Sequence, residues 1–388
     1  MKEMKQYTIA EICSRLSSGK GIHASKVTPT GPYPVIGGNG VRGYTDSFNF
    51  DGECAIIGRQ GANCGNVRYF QGKAYMTEHA IVAIGNENAN TKYLACLFSL
   101  MHLGNLSAQS AQPGLSVQTL SKQIIYLPEI STQNQIAEII KSLDTKIEIN
   151  KQINDNLEQQ AKALYKSWFV DFEPFKDEEF VDSELGMIPK GWSIGRIEDL
   201  TSRMASGGTP KSMNPEFYSG NICWFTTKEL VDGFLIDSEK HISQSAIDNS
   251  AAKVFPKGSV LMAIYAAPTV GRLGILSCNA AFNQAAVALI PKTGIESGYI
   301  YLTLYNERNN FNNLSSGAAQ QNLNVGLVKN YPTCIPSQEV LNNFNTKISP
   351  IFMNIERNQI EIFNLTRLRD TLLPKLMSGE LKINEIDC

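Results

Sequence analysis

The chain contains the same text twice. At one constant offset Asn105-Leu106-Ser107 falls on Asn313-Leu314-Ser315, Ala111-Gln112 on Ala319-Gln320, Leu115 on Leu323, Val117 on Val325 and Pro128 on Pro336. The match continues through Asn134 and Asn342, Ile140 and Ile348, Asn150 and Asn358, Leu157 and Leu365, and Leu164 and Leu372. A slightly smaller offset pairs Gly52 with Gly258, Gly65 with Gly271, Ala80 with Ala286 and Tyr93 with Tyr299. Before that the copies diverge and the second is longer. A duplication on this scale requires two similar bodies that keep a frame and vary a face.

Each copy joins two unlike parts. Residues 1–128 and 188–336 are rich in Gly, Asn, Thr and aromatics, and their short apolar runs are bounded by turn residues. Cys54-Ala55-Ile56-Ile57, Ala80 to Ile84 and Val260 to Ile264 read as strands. Thr91 to Leu103 and Gly298 to Asn310 read as helices, so the expected class is α+β. Residues 129–172 and 337–388 instead carry few Gly and many Gln, Glu, Lys, Ile and Leu, and an acidic linker, 173–187, follows the first of them.

The helical parts have a countable period. Ile136, Ile140, Leu143, Ile147, Asn150, Asn154, Leu157, Ala161, Leu164 and Trp168 alternate steps of four and three, a heptad seam. Phe344, Ile348, Ile351, Ile355, Asn358, Ile362, Leu365, Arg369, Leu372 and Leu376 repeat it in the same phase. The expectation is two long helices paired as an antiparallel coiled coil, rods of about 60 Å for some 40 residues each. The alternative is that both seams enter one large helical core. Asn150 and Asn358 interrupt the seam at matching places, as register-fixing residues do. Pro350 and Pro374 are expected to kink or break the second helix, since each removes an amide donor.

Several of these segments together resemble one family. Gln133-Asn134-Gln135-Ile136-Ala137 and the run Leu164-Tyr165-Lys166-Ser167-Trp168-Phe169-Val170-Asp171-Phe172-Glu173-Pro174 resemble the central conserved region of the specificity subunits of Type I restriction-modification systems. Leu372-Leu373-Pro374-Lys375-Leu376-Met377-Ser378-Gly379-Glu380-Leu381 resembles their distal conserved region. Ile188-Pro189-Lys190-Gly191-Trp192 with Ser206-Gly207-Gly208-Thr209-Pro210 resembles the start of a target recognition domain, and Gly58-Arg59-Gln60-Gly61 with Gly65-Asn66-Val67 its interior.

The resemblance implies a non-catalytic subunit with two recognition domains, each reading half of a split double-stranded DNA target. It also implies conserved helices that dock two methyltransferase subunits, with restriction and translocation subunits joining the complex. S-adenosylmethionine, ATP and Mg then belong to those partners, which flip an adenine in each half-site. A methylation-only or Type II system is the runner-up. A coiled-coil adaptor binding protein or glycan is the alternative from another class.

Base edges are read by hydrogen bonds, so amide, hydroxyl and basic side chains on loops are the candidates. In the first copy these are Arg42, Arg59, Gln60, Asn63, Arg68 and Lys73; in the second, Lys211, Thr226, Thr227, Lys228, Lys253, Arg272, Gln320 and Gln321. Charge is consistent with this. The whole chain is near neutral, with 35 Lys+Arg and 37 Asp+Glu, but 1–128 carries 11 basic and 7 acidic residues and 188–336 carries 12 and 10. The segment 129–187 holds 6 and 13, so averaging hides two mildly basic heads.

Other chemistries lack their parts. Gly38-Asn39-Gly40-Val41-Arg42-Gly43 spells GxGxxG, the sole support for a dinucleotide-dependent oxidoreductase, but the text after it reads as strand and turn instead of the required helix. Asn214-Pro215-Glu216-Phe217 grazes an adenine-methyltransferase signature and reads as a turn starter. Glu78-His79 reads as a strand-end polar pair, and Asp171, Glu173, Asp177, Glu178, Glu179, Asp182 and Glu184 as a solvated, self-repelling connector. Eight Cys without a CxxC pair and four His without paired spacing predict no metal site and reduced thiols. No apolar run is long enough for a bilayer, and the start MKEMKQYTIAEI has no signal-peptide core, so a cytoplasmic protein is expected.

Overall fold

The apolar runs at 54–57, 80–84 and 260–264 do not alternate with polar residues, the mark of strands covered on both faces. The computed structural model, which describes residues 4–107, 114–265, 269–316 and 322–383, places them in the middle of two mixed sheets. The chain divides into two units, residues 1–146 with 365–388, and 147–364.

In the first unit a six-stranded sheet runs in the order Cys13–Ser18, Ala80–Gly85, Phe50–Gly58, Val67–Met76, Tyr33–Gly37, Gly40–Thr45. All neighbours are antiparallel except Tyr33–Gly37 beside Val67–Met76. Ala55, Ile57, Ile81 and Ala83 face the main core with the helix Thr91–Leu100, while Cys54, Ile56, Ala80 and Val82 fill a smaller core on the other face. A ribbon of Lys5–Thr8 and Ile124–Leu127 closes the domain.

The second unit repeats this frame. Thr201–Ser206, Ala286–Pro291, Val260–Ala263 and Leu273–Leu276 take the same order, and Ser193–Arg196 with Pro332–Ile335 makes the same ribbon. The parallel pair is kept as Ile222–Phe225 beside Ala281–Phe282, which sits here in a separate three-stranded sheet with Lys240–Ile242. Even a close approach is kept: a Cβ on Gly19 would overlap the carbonyl oxygen of Met76, and one on Gly207 that of Phe282. The class is α+β, as the sequence predicts.

The long helices are Ile130–Phe169 and Gln338–Ser378. Within the first unit Arg369 Nη1 donates to Asp144 Oδ1 at 2.9 Å. Within the second, Asn150 Nδ2 donates to Glu361 Oε2 at 2.8 Å and Asn358 Nδ2 to Asn154 Oδ1 at 2.9 Å. In the second unit one residue number falls as the other rises, so the helices are antiparallel there. Ile136, Ile140, Ile147, Asn150, Ile348, Ile355 and Asn358 are buried, and Leu143, Leu157, Leu164, Ile351, Ile362, Leu365 and Leu372 half-buried, so the heptad seam is the packed face.

The prolines do not break the second helix, for Gln338–Ser378 is continuous through Pro350 and Pro374. Both rings, and Thr346 and Asp370 whose carbonyls lose their amide partners, are solvent-exposed. Water can therefore replace the missing bonds. The acidic side chains of the connector are solvent-exposed, and three of them are paired. Glu173, Glu179 and the nearby Asp171 pair with Lys176, Lys190 and Lys166 at 2.8, 2.7 and 2.5 Å, and Phe175 joins Ile188 and Trp192 in a small core with Trp168, Phe169 and Phe172. Ion pairing and aromatic burial thus anchor the segment, while Asp177, Glu178, Asp182 and Glu184 face solvent.

The seam asparagines give a first prediction. Asn154→Leu leaves the buried Asn358 amide without its acceptor and should cost about 1–3 kcal/mol. Asn154→Leu with Asn358→Leu should recover most of it. Urea unfolding of both variants checks this, and a double variant no more stable than the single would refute it. Among the described residues no helix is long and apolar enough to cross a membrane.

Candidate nucleic-acid interface

One edge of the first sheet gathers most of the polar candidates. Tyr33–Gly37 turns at Gly38-Asn39 into Gly40–Thr45, so the GxGxxG string lies in a β-hairpin and opens no helix. The tip packs tightly: a Cβ on Gly38 would stand 2.8 Å from the His79 carbonyl oxygen and 3.4 Å from the Arg59 nitrogen. Arg68 Nη1 donates to the Asn39 carbonyl at 2.8 Å, and the Arg42 stem lies over Gly37.

The neighbouring loop, 58–66, is closed by main-chain atoms. Gly65 N donates to Gly58 O, Gly58 N to Asn66 O and Leu115 N to Arg59 O, each at 2.8 Å. On this frame Arg59 Nη1 reaches Glu78 O at 3.4 Å, Gln60 Oε1 meets His79 Nδ1 at 3.1 Å, and Asn66 Nδ2 donates to Asn63 Oδ1 at 3.0 Å. Arg42, Arg59, Gln60, Asn63 and Arg68 therefore converge, and Arg42, Gln60 and Arg68 are exposed.

Glu78 and His79 belong to the same edge, which their reading as a strand-end pair missed. Glu78 Oε2 and the adjacent Thr77 Oγ1 are buried without a partner. A buried acceptor left open marks a place where a ligand's donor can complete the set. Lys73 lies elsewhere. It sits five residues beyond Arg68 on the same strand, about 16 Å away, 3.9 Å from Asp51 and over the Phe48 ring.

The second head builds the corresponding edge with other side chains. Asn283 N donates to Phe225 O at 3.0 Å as Thr77 N does to Ile36 O at 2.9 Å, which puts Thr226-Thr227-Lys228 where the first head has its hairpin tip. Gly271 N donates to Ala263 O, Ala263 N to Arg272 O and Leu323 N to Ile264 O, each at 2.9 Å, matching the loop closure at 58–66. Arg272, half-buried, ends that loop.

Within the trio only Lys228 faces solvent. Thr227 is buried, and Thr226 donates through N and Oγ1 to Glu229 Oε2 at 2.7 and 2.8 Å. Gln284, missed by the sequence reading, is exposed at the position of Glu78 and is hydrogen-bonded by the Thr209 hydroxyl. Lys211 and Lys253 are exposed; Gln320 and Gln321 lie outside the described residues.

Away from these edges the side chains that could suggest catalysis have structural duties. Asn214 accepts from Glu216 N and caps the turn Pro215–Tyr218. Burial pushes the Cys54 and Cys96 thiols up to about 12 and about 11, which keeps them protonated core residues.

The model of the Type I restriction modification DNA specificity domain matches residues 1–159 and 189–369. Among curated relatives, the Type I restriction enzyme MjaIX specificity subunit of Methanocaldococcus jannaschii is 31% identical over 311 residues, covering 78% of this chain and 72% of that one. The HindI specificity subunit of Haemophilus influenzae is 27% identical over 330 residues, covering 69% and 71%. In fold the chain is similar to the crystal structure of a Type-I restriction-modification system S subunit from M. genitalium, with a TM-score of 0.67 at 16% identity over 97% of this chain and 96% of that one.

Proposed function

This chain belongs to the Type I restriction-modification DNA specificity family, and from that premise we propose that its two heads read the two halves of one split double-stranded DNA target. The observation that carries the reading is the pair of corresponding edges. The same main-chain frame presents Arg42, Arg59, Gln60, Arg68 and Glu78 in one head and Lys228, Arg272 and Gln284 in the other, so the half-sites differ. Arg is suited to guanine, amides to adenine, and a carboxylate such as Glu78 to the amino group of cytosine.

The chain itself performs no chemistry in this reading. Two methyltransferase subunits dock on the long helices, whose outward faces expose Ile149, Ile153, Met353 and Leu368, and restriction subunits join through them. S-adenosylmethionine, ATP and Mg are bound by those partners, and the complex works in the cytoplasm, where the DNA is.

Co-expression with the methyltransferase subunit and long-read mapping of methylated adenines tests the reading. Gln60→Ala or Arg68→Ala should lower methylation about 10–100-fold or relax the first half-site alone, the range of one base contact. Gln284→Ala should do so in the second alone. An unchanged motif in all three variants would sink the assignment.

A further inference from the structure

In the second head, strand pairing brings together three side chains that the sequence scatters. Cys223 on Ile222–Phe225 is the direct register partner of His241 on Lys240–Ile242, and Asp237 lies in the turn before that strand. Cys223 Sγ is 3.6 Å from His241 Nε2 and 3.5 Å from Asp237 Oδ1, and His241 Nε2 is 2.8 Å from the same Oδ1. The donor atoms of these three side chains all lie within 4.8 Å of one another. The Cys278 thiol, on the turn between Leu273–Leu276 and Ala281–Phe282, adjoins Cys223 but stands outside that group.

Tetrahedral zinc with thiolate, imidazole and carboxylate ligands at its usual bond lengths sets sulfur to nitrogen or oxygen about 3.5 Å apart. Both observed sulfur separations meet that spacing. The His241 to Asp237 separation is shorter because those two now share a hydrogen bond, and it would need to open by about 0.5 Å. A mixed sulfur, nitrogen and oxygen set suits zinc and disfavours calcium or magnesium. His241 also lines a surface cleft with Tyr218, Glu239 and Lys240, which gives an ion its way in. Asp237 Oδ1 already accepts Ser238 N at 2.9 Å, so the carboxylate is oriented before any ion arrives.

We propose that Cys223, Asp237 and His241 hold a structural zinc ion, with Cys278 turning in from beside Cys223 as the fourth ligand. The ion displaces the thiol protons to solvent on binding and ties both strands to the turn that leads into Ala281–Phe282. Nothing in this depends on which DNA, if any, the head reads.

The test uses the full chain, purified reduced and without a polyhistidine tag, stripped by chelator and titrated with cobalt(II). One equivalent should give a thiolate-to-cobalt charge-transfer band and the intense visible bands of a tetrahedral ion, both bleached by one equivalent of zinc. Zinc should also raise the melting temperature of the wild type. Cys223→Ser and His241→Ala should abolish the cobalt spectrum, Cys278→Ser should weaken binding at least 10-fold, and Cys54→Ser should leave it intact. A wild-type chain that takes up no cobalt overturns the proposal even if every variant misfolds. So does an octahedral spectrum, or a tetrahedral one that survives Cys223→Ser and His241→Ala.

Discussion

Replacing Phe344 by Ala should cost the second unit about 3–5 kcal/mol, the range for removing a fully buried aromatic ring. Phe344 is 0% exposed, and its ring centroid lies 4.7 Å from Phe169, 5.6 Å from Trp168 and 6.2 Å from Tyr299. Tyr165 completes the group and donates its hydroxyl to Thr303 at 3.1 Å. The cluster joins both long helices to the helix Ser297–Asn306 within one core, so a cavity there loosens all three. Two units need not unfold together, so segment-resolved hydrogen exchange is the proper measurement. Protection should fall across 147–169 and 297–306 and hold across 50–58 and 80–85. A loss below about 1 kcal/mol, or an equal loss in both units, would contradict the role given to this ring.

The second large effect belongs to the first unit. Lys92 Nζ is 2.5 Å and Arg369 Nη1 2.9 Å from the Asp144 carboxylate, with Lys92 only 10% exposed. Asp144→Ala strands Lys92, while Arg369 keeps Asp370 at 2.8 Å; breaking a fully buried pair costs about 3–5 kcal/mol, and because Asp144 and Arg369 are near a third exposed, about 2–3 is expected. Burial alone would raise the Asp144 carboxyl, but hydrogen bonds and charge from Lys92 and Arg369 outweigh it and hold it below the ordinary carboxylate value. A depressed folded value means that the contribution is present above the unfolded value, near pH 4, and is lost as pH falls through the folded one. Acid unfolding of the first unit should therefore flatten in that window in Asp144→Ala. An unchanged acid limb would show the carboxylate to be idle.

The second unit answers the same position without charge. By the internal repeat Lys92, Asp144 and Arg369 correspond to Gly298, Phe352 and Ala161, and a Cβ on Gly298 would come 3.0 Å from the Phe352 ring. An aromatic ring fills the space that the ions fill in the other copy. Lys92→Gly, Asp144→Phe and Arg369→Ala made together should for this reason cost less than Asp144→Ala alone.

What the sequence disclosed follows from the range of each interaction. The seam was legible because a 3.5-residue period is local, and the shared frame because two copies of one text can be compared. The convergence of Arg42, Arg59 and Arg68 was not, since it depends on a hairpin lying beside a loop across a sheet. Glu78 and Gln284 gave no signal of their own until strand pairing placed them at matching ends. Pro350 and Pro374 misled because a missing amide matters only where water cannot reach, and the side of the helix that faces solvent is a tertiary fact. Cys223 and His241 escaped a search by spacing because β pairing, not helical turn, makes them neighbours.

The loop at 58–66 is shut by Leu115 N on Arg59 O, and its counterpart in the second head by Leu323 N on Ile264 O, bonds that involve no side chain. On the proposed assignment, a lineage under pressure to exchange one target for another can alter residues 59, 60 or 63 singly without touching these closing bonds. New addresses would then be reached by point substitution, with the frame of the loop closed at every step.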